Sequence, residues 1–211
     1  MQVKFTARFS VATTMTLIEP FQLENLLDAN LINLDPLTEN FNLLFYTEYL
    51  NSWPDLFFTA TEPYSGFGKT KELAGYMMGK TEGQLMKKEW HTHITAVTVQ
   101  DTYRRLGLAL DMCIQLENLT SVPPHSTWFV DLFVKVTNSL ARKMYEKLGY
   151  SVYRRVVGYY GRVPLDDSDR NKINDDVDAF DMRKSLPADI KNETIRDNGE
   201  KHYVLPQEIV F

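Results

Sequence analysis

Cysteine is nearly absent: of 211 residues only Cys113 carries a thiol. No internal disulfide can form, so a reducing compartment is expected. Cys113 stands among Leu110, Met112 and Ile114, a setting that reads as helix packing, whereas a nucleophilic role would need an accessible, electropositive site. Positive charge is short as well. The 23 Lys and Arg against 28 Asp and Glu leave a formal charge of -5, which argues against direct nucleic-acid binding, since that usually needs a basic surface. No apolar run approaches the roughly 18 residues of a spanning helix, so no membrane segment is expected. Internal repeats are lacking too. These absences leave one domain with a sizeable core, plus tails.

What is present is a regular succession of elements. Residues 1–14 (MQVKFTARFSVATT) hold Lys4 and Arg8 but no acid, a composition shared by short organellar presequences. Their poor amphipathic spacing favours an unstructured extension ahead of a second start at Met15, with the folded domain over 15–186. Strands are predicted over 15–18, 56–61, 72–81, 90–99, 128–136, 150–161 and 179–184, from their apolar and β-branched runs. Helical spacing predicts helices over 21–31, 39–51, 106–119 and 139–148. The first breaks at Asn33-Leu34-Asp35-Pro36, and Trp53-Pro54 ends the second, because a residue before proline is pushed from helical geometry. A Pro/Gly/Ser turn joins the second and third strands. Asn138 is placed to cap the last helix and Gly149 to stop it. An acid-rich excursion over 164–178 reads as a mobile loop, and 187–211 as a C-terminal tail.

The chemistry centres on Arg104-Arg105-Leu106-Gly107-Leu108-Ala109, between a strand and a helix. Backbone N–H groups at a helix N-terminus are unpaired and the dipole there favours negative charge. Gly107 and Ala109 remove side-chain bulk, and two arginines add forks suited to phosphate oxygens, so a pyrophosphate would fit. On these six residues alone an ordinary strand-to-helix turn with surface arginines is the more frequent case.

The spacing R-x-x-G-x-A resembles the acetyl-CoA signature of the GNAT N-acetyltransferases, and the element order places it where that fold has it. Further segments narrow the likeness: INLDPLTE (32–39), KEWHTHITAVTV (88–99), YRRLGLA (103–109), FVDLFVKVTN (129–138), MYEKLGYSVYRRV (144–156), GYY (158–160) and DAFDMRK (178–184). Over about 15–186 the chain is similar to the catalytic subunits of the N-terminal acetyltransferase B (NatB) complexes. The resemblance implies an α/β (α+β) GNAT fold, a mixed central sheet of about seven strands with four helices. It implies acetyl transfer from acetyl-CoA, without a metal, to the α-amine of nascent polypeptides starting Met-Asp, Met-Glu, Met-Asn or Met-Gln. It further implies a large helical-repeat auxiliary subunit as partner, ribosome contact through that subunit, and a cytoplasmic location. A GNAT acting on lysine or a small amine, and a non-catalytic acyl-CoA-binding subunit, remain the alternatives.

Residue by residue, the resemblance assigns the acetyl and pantetheine contacts to the backbone of Val97 and Val99, and the pyrophosphate to Arg104, Arg105, Gly107, Leu108 and Ala109. Asn138 and Tyr145, seven apart across a helix start, can share a face toward the cofactor. By resemblance Tyr145 is the proton donor to the leaving thiolate, while Asn138 can equally serve only as a cap. His91 and His93 are two apart on a strand and so share a face. No third ligand is spaced to complete a zinc site, which argues against a metal reading. By resemblance His93 lines the peptide groove and serves as substrate contact or proton relay, whereas His91 reads as structural. Tyr159 and Tyr160 become peptide-binding lid residues, Tyr159 also near the chemistry, if the strand ends at the flanking glycines. Glu39 and Phe41 complete the substrate set, with Phe41 standing where some relatives have tyrosine. No strong base is evident, which an α-amine of pKa about 7.7–8.0 tolerates.

Overall fold

The computed structural model describes residues 16–34, 38–62, 71–85, 87–161 and 166–209. The extension 1–14, Met15, and residues 63–70 of the expected turn lie outside them. The chain divides into two compact units, Met1–Lys80 with Thr95–Leu116 and Thr81–Ile94 with Glu117–Phe211.

In the first unit, β1 (Leu17–Pro20), β2 (Phe57–Glu62) and β3 (Glu72–Glu82, all but its last two residues) form an antiparallel ladder with Ile18 opposite Ala60 and Phe58 opposite Met77. Two helices cover it, α1 (Asn25–Ile32) and α2 (Leu43–Ser52). Both start later than helical periodicity suggests, for local reasons. The Gln22 N–H is taken by the Asn25 side chain, which makes residues 22–24 a turn, and Asn42 caps α2 by accepting from the Phe45 N–H at 2.9 Å. Apolar side chains from both helices and the strands then bury one another: Phe21, Ile32, Tyr46, Tyr49, Phe57 and Tyr76 make the core, with Phe21 stacked on Phe57 at 3.9 Å. The later half of β4 (His91–Val99) approaches β3 so closely that a Cβ at Gly75 would meet the Thr98 carbonyl at 2.6 Å, so only glycine serves there. A 3₁₀ turn, Asp101–Tyr103, leads into α3 (Leu108–Thr120).

In the second unit the first residues of β4 pair in parallel with β5 (Phe129–Lys135) at only two positions, Thr92 with Val130 and His93 with Asp131. Antiparallel pairing joins β5 to β7 (Ala179–Ser185) and β7 to β6 (Ser151–Val156). The helix α4 (Ser139–Lys147) carries its expected punctuation: Asn138 accepts from the Ala141 N–H at 3.1 Å and Gly149 takes φ 92.

Two expectations are corrected here. The strand read over 150–161 stops at Val156, and Val157 to Tyr160 form a turn, because the Gly158 N–H bonds the buried carboxylate of Asp178 instead of a neighbouring strand. The segment expected as a tail, 187–211, supplies an eighth strand, β8 (Tyr203–Val204), parallel to β6, with Leu205 fully buried. Gly199 allows this approach, since a Cβ there would collide with the Val152 carbonyl at 2.0 Å. The described part of the acidic loop is also tied down: Asp175 and Asp178 pair with Arg155, and Arg170 pairs with Glu208.

Candidate active site

In the first unit the loop that carries Arg104 to Gly107 leaves β4 at Val99. Arg105 (φ 67) and Gly107 (φ 87) adopt left-handed backbone, which reverses the chain into α3. The first hydrogen bond of α3 runs from the Asp111 N–H to the Gly107 carbonyl, so the N–H groups of Leu108, Ala109 and Leu110 precede the helical ladder. A Cβ at Gly107 would meet nothing within 4 Å. Gly107 is therefore required by its backbone angle, and the space beside it is open. Arg104 donates from Nε to the Val99 carbonyl at 3.1 Å and pairs through Nη1 with Asp101, which braces the loop. Arg105 stays exposed, and the Leu108 side chain is buried in the core. The N-terminal amides, the open space at Gly107 and the exposed Arg105 guanidinium suit a pyrophosphate.

The same unit sets Glu39. Thr38 and Thr98 share a hydroxyl hydrogen bond of 2.8 Å, which ties the α1–α2 connection to β4 between Val97 and Val99. Glu39, next to it, is exposed; Phe41 is half-buried, stacked on Phe45 at 4.5 Å and edge-on to Tyr46. Val97 and Val99 are both half-buried.

In the second unit a polar cluster forms around one carboxylate. Asp131, registered opposite His93, accepts from its Nδ1 at 2.8 Å and lies 3.6 Å from the Nε2 of His91. Burial alone would raise the Asp131 pKa, but His93, His91 and Arg183 outweigh it and hold it down to about 2. His91 is fully buried, stacked on Phe129 at 4.6 Å, and donates from Nδ1 to the Glu89 carbonyl. Burial lowers its pKa, yet Asp131 and Glu82 together win and raise it. The H-x-H pair thus faces carboxylates. Among the described residues no three His, Cys, Asp or Glu side chains gather as a metal site.

Two residues along β5 from Asp131, hence on the same face, Phe133 lies 5.6 Å from the His93 ring and stacks on Tyr159 at 4.6 Å. Tyr159 and Tyr160 meet edge-to-face at 4.9 Å, each a little over one-third exposed. Their turn is held by Asp178, which accepts from the Gly158 N–H and Arg155, and by the Tyr160 N–H to the Val177 carbonyl. His93 and Tyr159 are thereby brought together through Phe133. Tyr145 is buried on α4, against the Tyr150 ring, and Asn138 caps that helix. Asp131, Phe133 and Asp178 were not singled out by sequence. The available signal was a lone acid inside an apolar strand, Val130-Asp131-Leu132, a place where a carboxylate persists only with partners.

The profile of the acetyltransferase (GNAT) family matches residues 31–150. The catalytic subunit NAT3 of the N-terminal acetyltransferase B complex of Saccharomyces cerevisiae is 50% identical over 198 residues, covering 93% of this chain and 100% of that one. The chain belongs to the GNAT acetyltransferases, among the NatB catalytic subunits. It is an acyltransferase by that membership. A structure of a NatB acetyltransferase complex bound to a bisubstrate inhibitor superimposes with a TM-score of 0.79 at 62% identity, over 92% of this chain and 99% of that one. Naa20 of Chaetomium thermophilum, in complex with a bisubstrate analogue, gives 0.75 at 39% identity over 92% and 99%. The GNAT architecture expected from the sequence is therefore present, with eight strands among the described residues, close to the seven or so expected.

Proposed function

We propose that this chain transfers the acetyl group of acetyl-CoA to the α-amine of nascent polypeptides starting Met-Asp, Met-Glu, Met-Asn or Met-Gln. The observation that carries this reading is the cluster in which buried Asp131 holds His93 beside Phe133 and the Tyr159–Tyr160 turn, a polar contact set within aromatic walls. Family membership supports acetyl-CoA as the donor, as do the NatB structures bound to a bisubstrate inhibitor or to CoA. Pyrophosphate is held by the amides at the start of α3 with Arg105, inside a loop braced by Arg104, and the backbone of Val97 and Val99 receives the acetyl and pantetheine arm. Asn138, at the start of α4, has its side chain engaged as a cap, so it contributes to the cofactor side by fixing the helix that carries Tyr145.

The neutral α-amine attacks the thioester carbon, the C–S bond breaks, and the departing thiolate takes the Tyr145 hydroxyl proton while the amine loses one to water, from which the Tyr145 phenolate is reprotonated. Glu39 and Phe41 receive the starting methionine, His93 reads the second residue, and Tyr159 and Tyr160 grip the peptide backbone. A large auxiliary subunit covers the leucines exposed along the first two helices, Leu27 (77% exposed) and Leu44 (80%) among them, and brings the chain to ribosomes in the cytoplasm. The test is acetyl-CoA turnover by the complex with peptides starting Met-Asp, Met-Asn and Met-Leu, and with a lysine peptide blocked at its N-terminus. Preference for the first two, by roughly tenfold to a hundredfold over Met-Leu, is expected. Equal use of Met-Leu, or turnover of the lysine peptide alone, overturns the assignment.

A further inference from the structure

Asp131 is completely buried within an apolar strand, and its carboxylate is ionised, so it can only accept hydrogen bonds. The 2.8 Å contact therefore requires the proton on His93 Nδ1. Among the described residues His93 Nε2 takes no hydrogen bond, and the side chain retains 13% exposure. We propose that Asp131 is a positioning residue that commits the Nδ1 proton of His93 and thereby makes the choice between acidic and amide second residues pH-dependent. The inference rests on the reading of His93 as the second-residue contact.

With Nδ1–H committed, neutral His93 presents a lone pair at Nε2 and accepts only. An Asn or Gln amide can pair with it by donating, and can turn over to accept from the protonated ring. An Asp or Glu carboxylate has no proton to give, so it pairs only with the imidazolium, whose charge Asp131 balances. The other charged groups around this cluster fit that division. On β4, His91 is balanced by Glu82 of β3 at 3.5 Å as well as by Asp131. On β7, Arg183 contacts Asp181, which Arg154 of β6 also pairs. The neighbouring cations thus have carboxylates of their own, and Asp131 is available to His93.

The experiment uses the natural complex, with kcat/KM for Met-Asp and Met-Asn peptides over roughly pH 6 to 9, a range in which an Asp side chain stays ionised and the α-amine contribution cancels in the ratio. The Met-Asp over Met-Asn ratio is expected to fall as pH rises. Imidazole nitrogen NMR, assigned with His93→Gln, is expected to show the neutral ring protonated at Nδ1. Asp131→Asn removes the balancing charge and should lower the Met-Asp over Met-Asn ratio. His93→Gln, whose amide does not titrate, should flatten the pH dependence, and this holds even if Asp131→Asn fails to fold. A neutral ring protonated at Nε2, or a ratio flat with pH in the natural complex, overturns the role of Asp131. If Met-Asp and Met-Asn are no better than Met-Leu, the underlying substrate reading fails instead.

Discussion

Tyr145 is one hydroxyl on a buried ring, and its proposed use comes only as the thiolate develops. Interactions confined to the transition state lower kcat rather than raise KM. Tyr145→Phe should therefore reduce kcat by about a hundredfold with the KM for acetyl-CoA within about twofold. Unchanged kcat in steady-state assays would remove it from the mechanism. The buried Asp131–His91 pair carries a stability signature of opposite signs. The pKa of Asp131 is depressed from the ordinary 3.8 to about 2, so its contribution is present above about pH 4 and lost as pH falls toward 2. His91 is raised above 6.5, so its contribution is complete below that pH and lost as pH climbs through the raised value. Urea melts across pH should decline on both sides, and His91→Gln should remove the alkaline decline while lessening the acid one, since His91 also helps hold the Asp131 pKa down. Neither residue announced this in the sequence. H-x-H shows a shared face, but which carboxylate lies opposite depends on strand register.

At the scale of elements, most starts and stops follow local chemistry: the Asn42 and Asn138 caps, Gly149 in left-handed backbone, and proline after Trp53. The exception is β8. Two residues, Tyr203 and Val204, carry too little pattern to be recognised as a strand, and their order comes from docking on β6 through the Arg155 N–H to the His202 carbonyl and the Val157 N–H to the Val204 carbonyl. Deleting 203–211 removes buried Val204 and Leu205 and takes the acceptor of the Val157 N–H. The expected cost is about 3 kcal/mol or more, read as a lower melting temperature. Because Val157 opens the turn that bears Tyr159 and Tyr160, peptide KM should rise in the same variant. A truncated protein that melts unchanged would return this segment to the status of a tail.

For the molecule as a whole, the exposed leucines are the test of assembly. Leu23, Leu27, Leu34, Leu43 and Leu44 are each more than half exposed, in and around α1 and α2. Changing Leu27 and Leu44 together to Asp should abolish co-elution with the auxiliary subunit while leaving the isolated chain's melt within a few degrees, since neither side chain is in the core. Retained co-elution would move the interface elsewhere.

The sequence by itself determined the element order as far as β7, the glycine-bearing loop ahead of α3 and the family, because apolar periodicity, caps and a glycine that needs positive φ are local requirements written into adjacent residues. It also determined that His91 and His93 share a face, since strand periodicity is two. Only the tertiary structure decided that Arg104 braces its own loop, that Asp131 faces His93, that Phe133 links His93 to Tyr159, and that the last residues complete a sheet. Each of these joins groups distant in the chain or depends on which hydrogen bond wins in three dimensions, and register and burial are settled by packing between elements rather than by the order of residues within one.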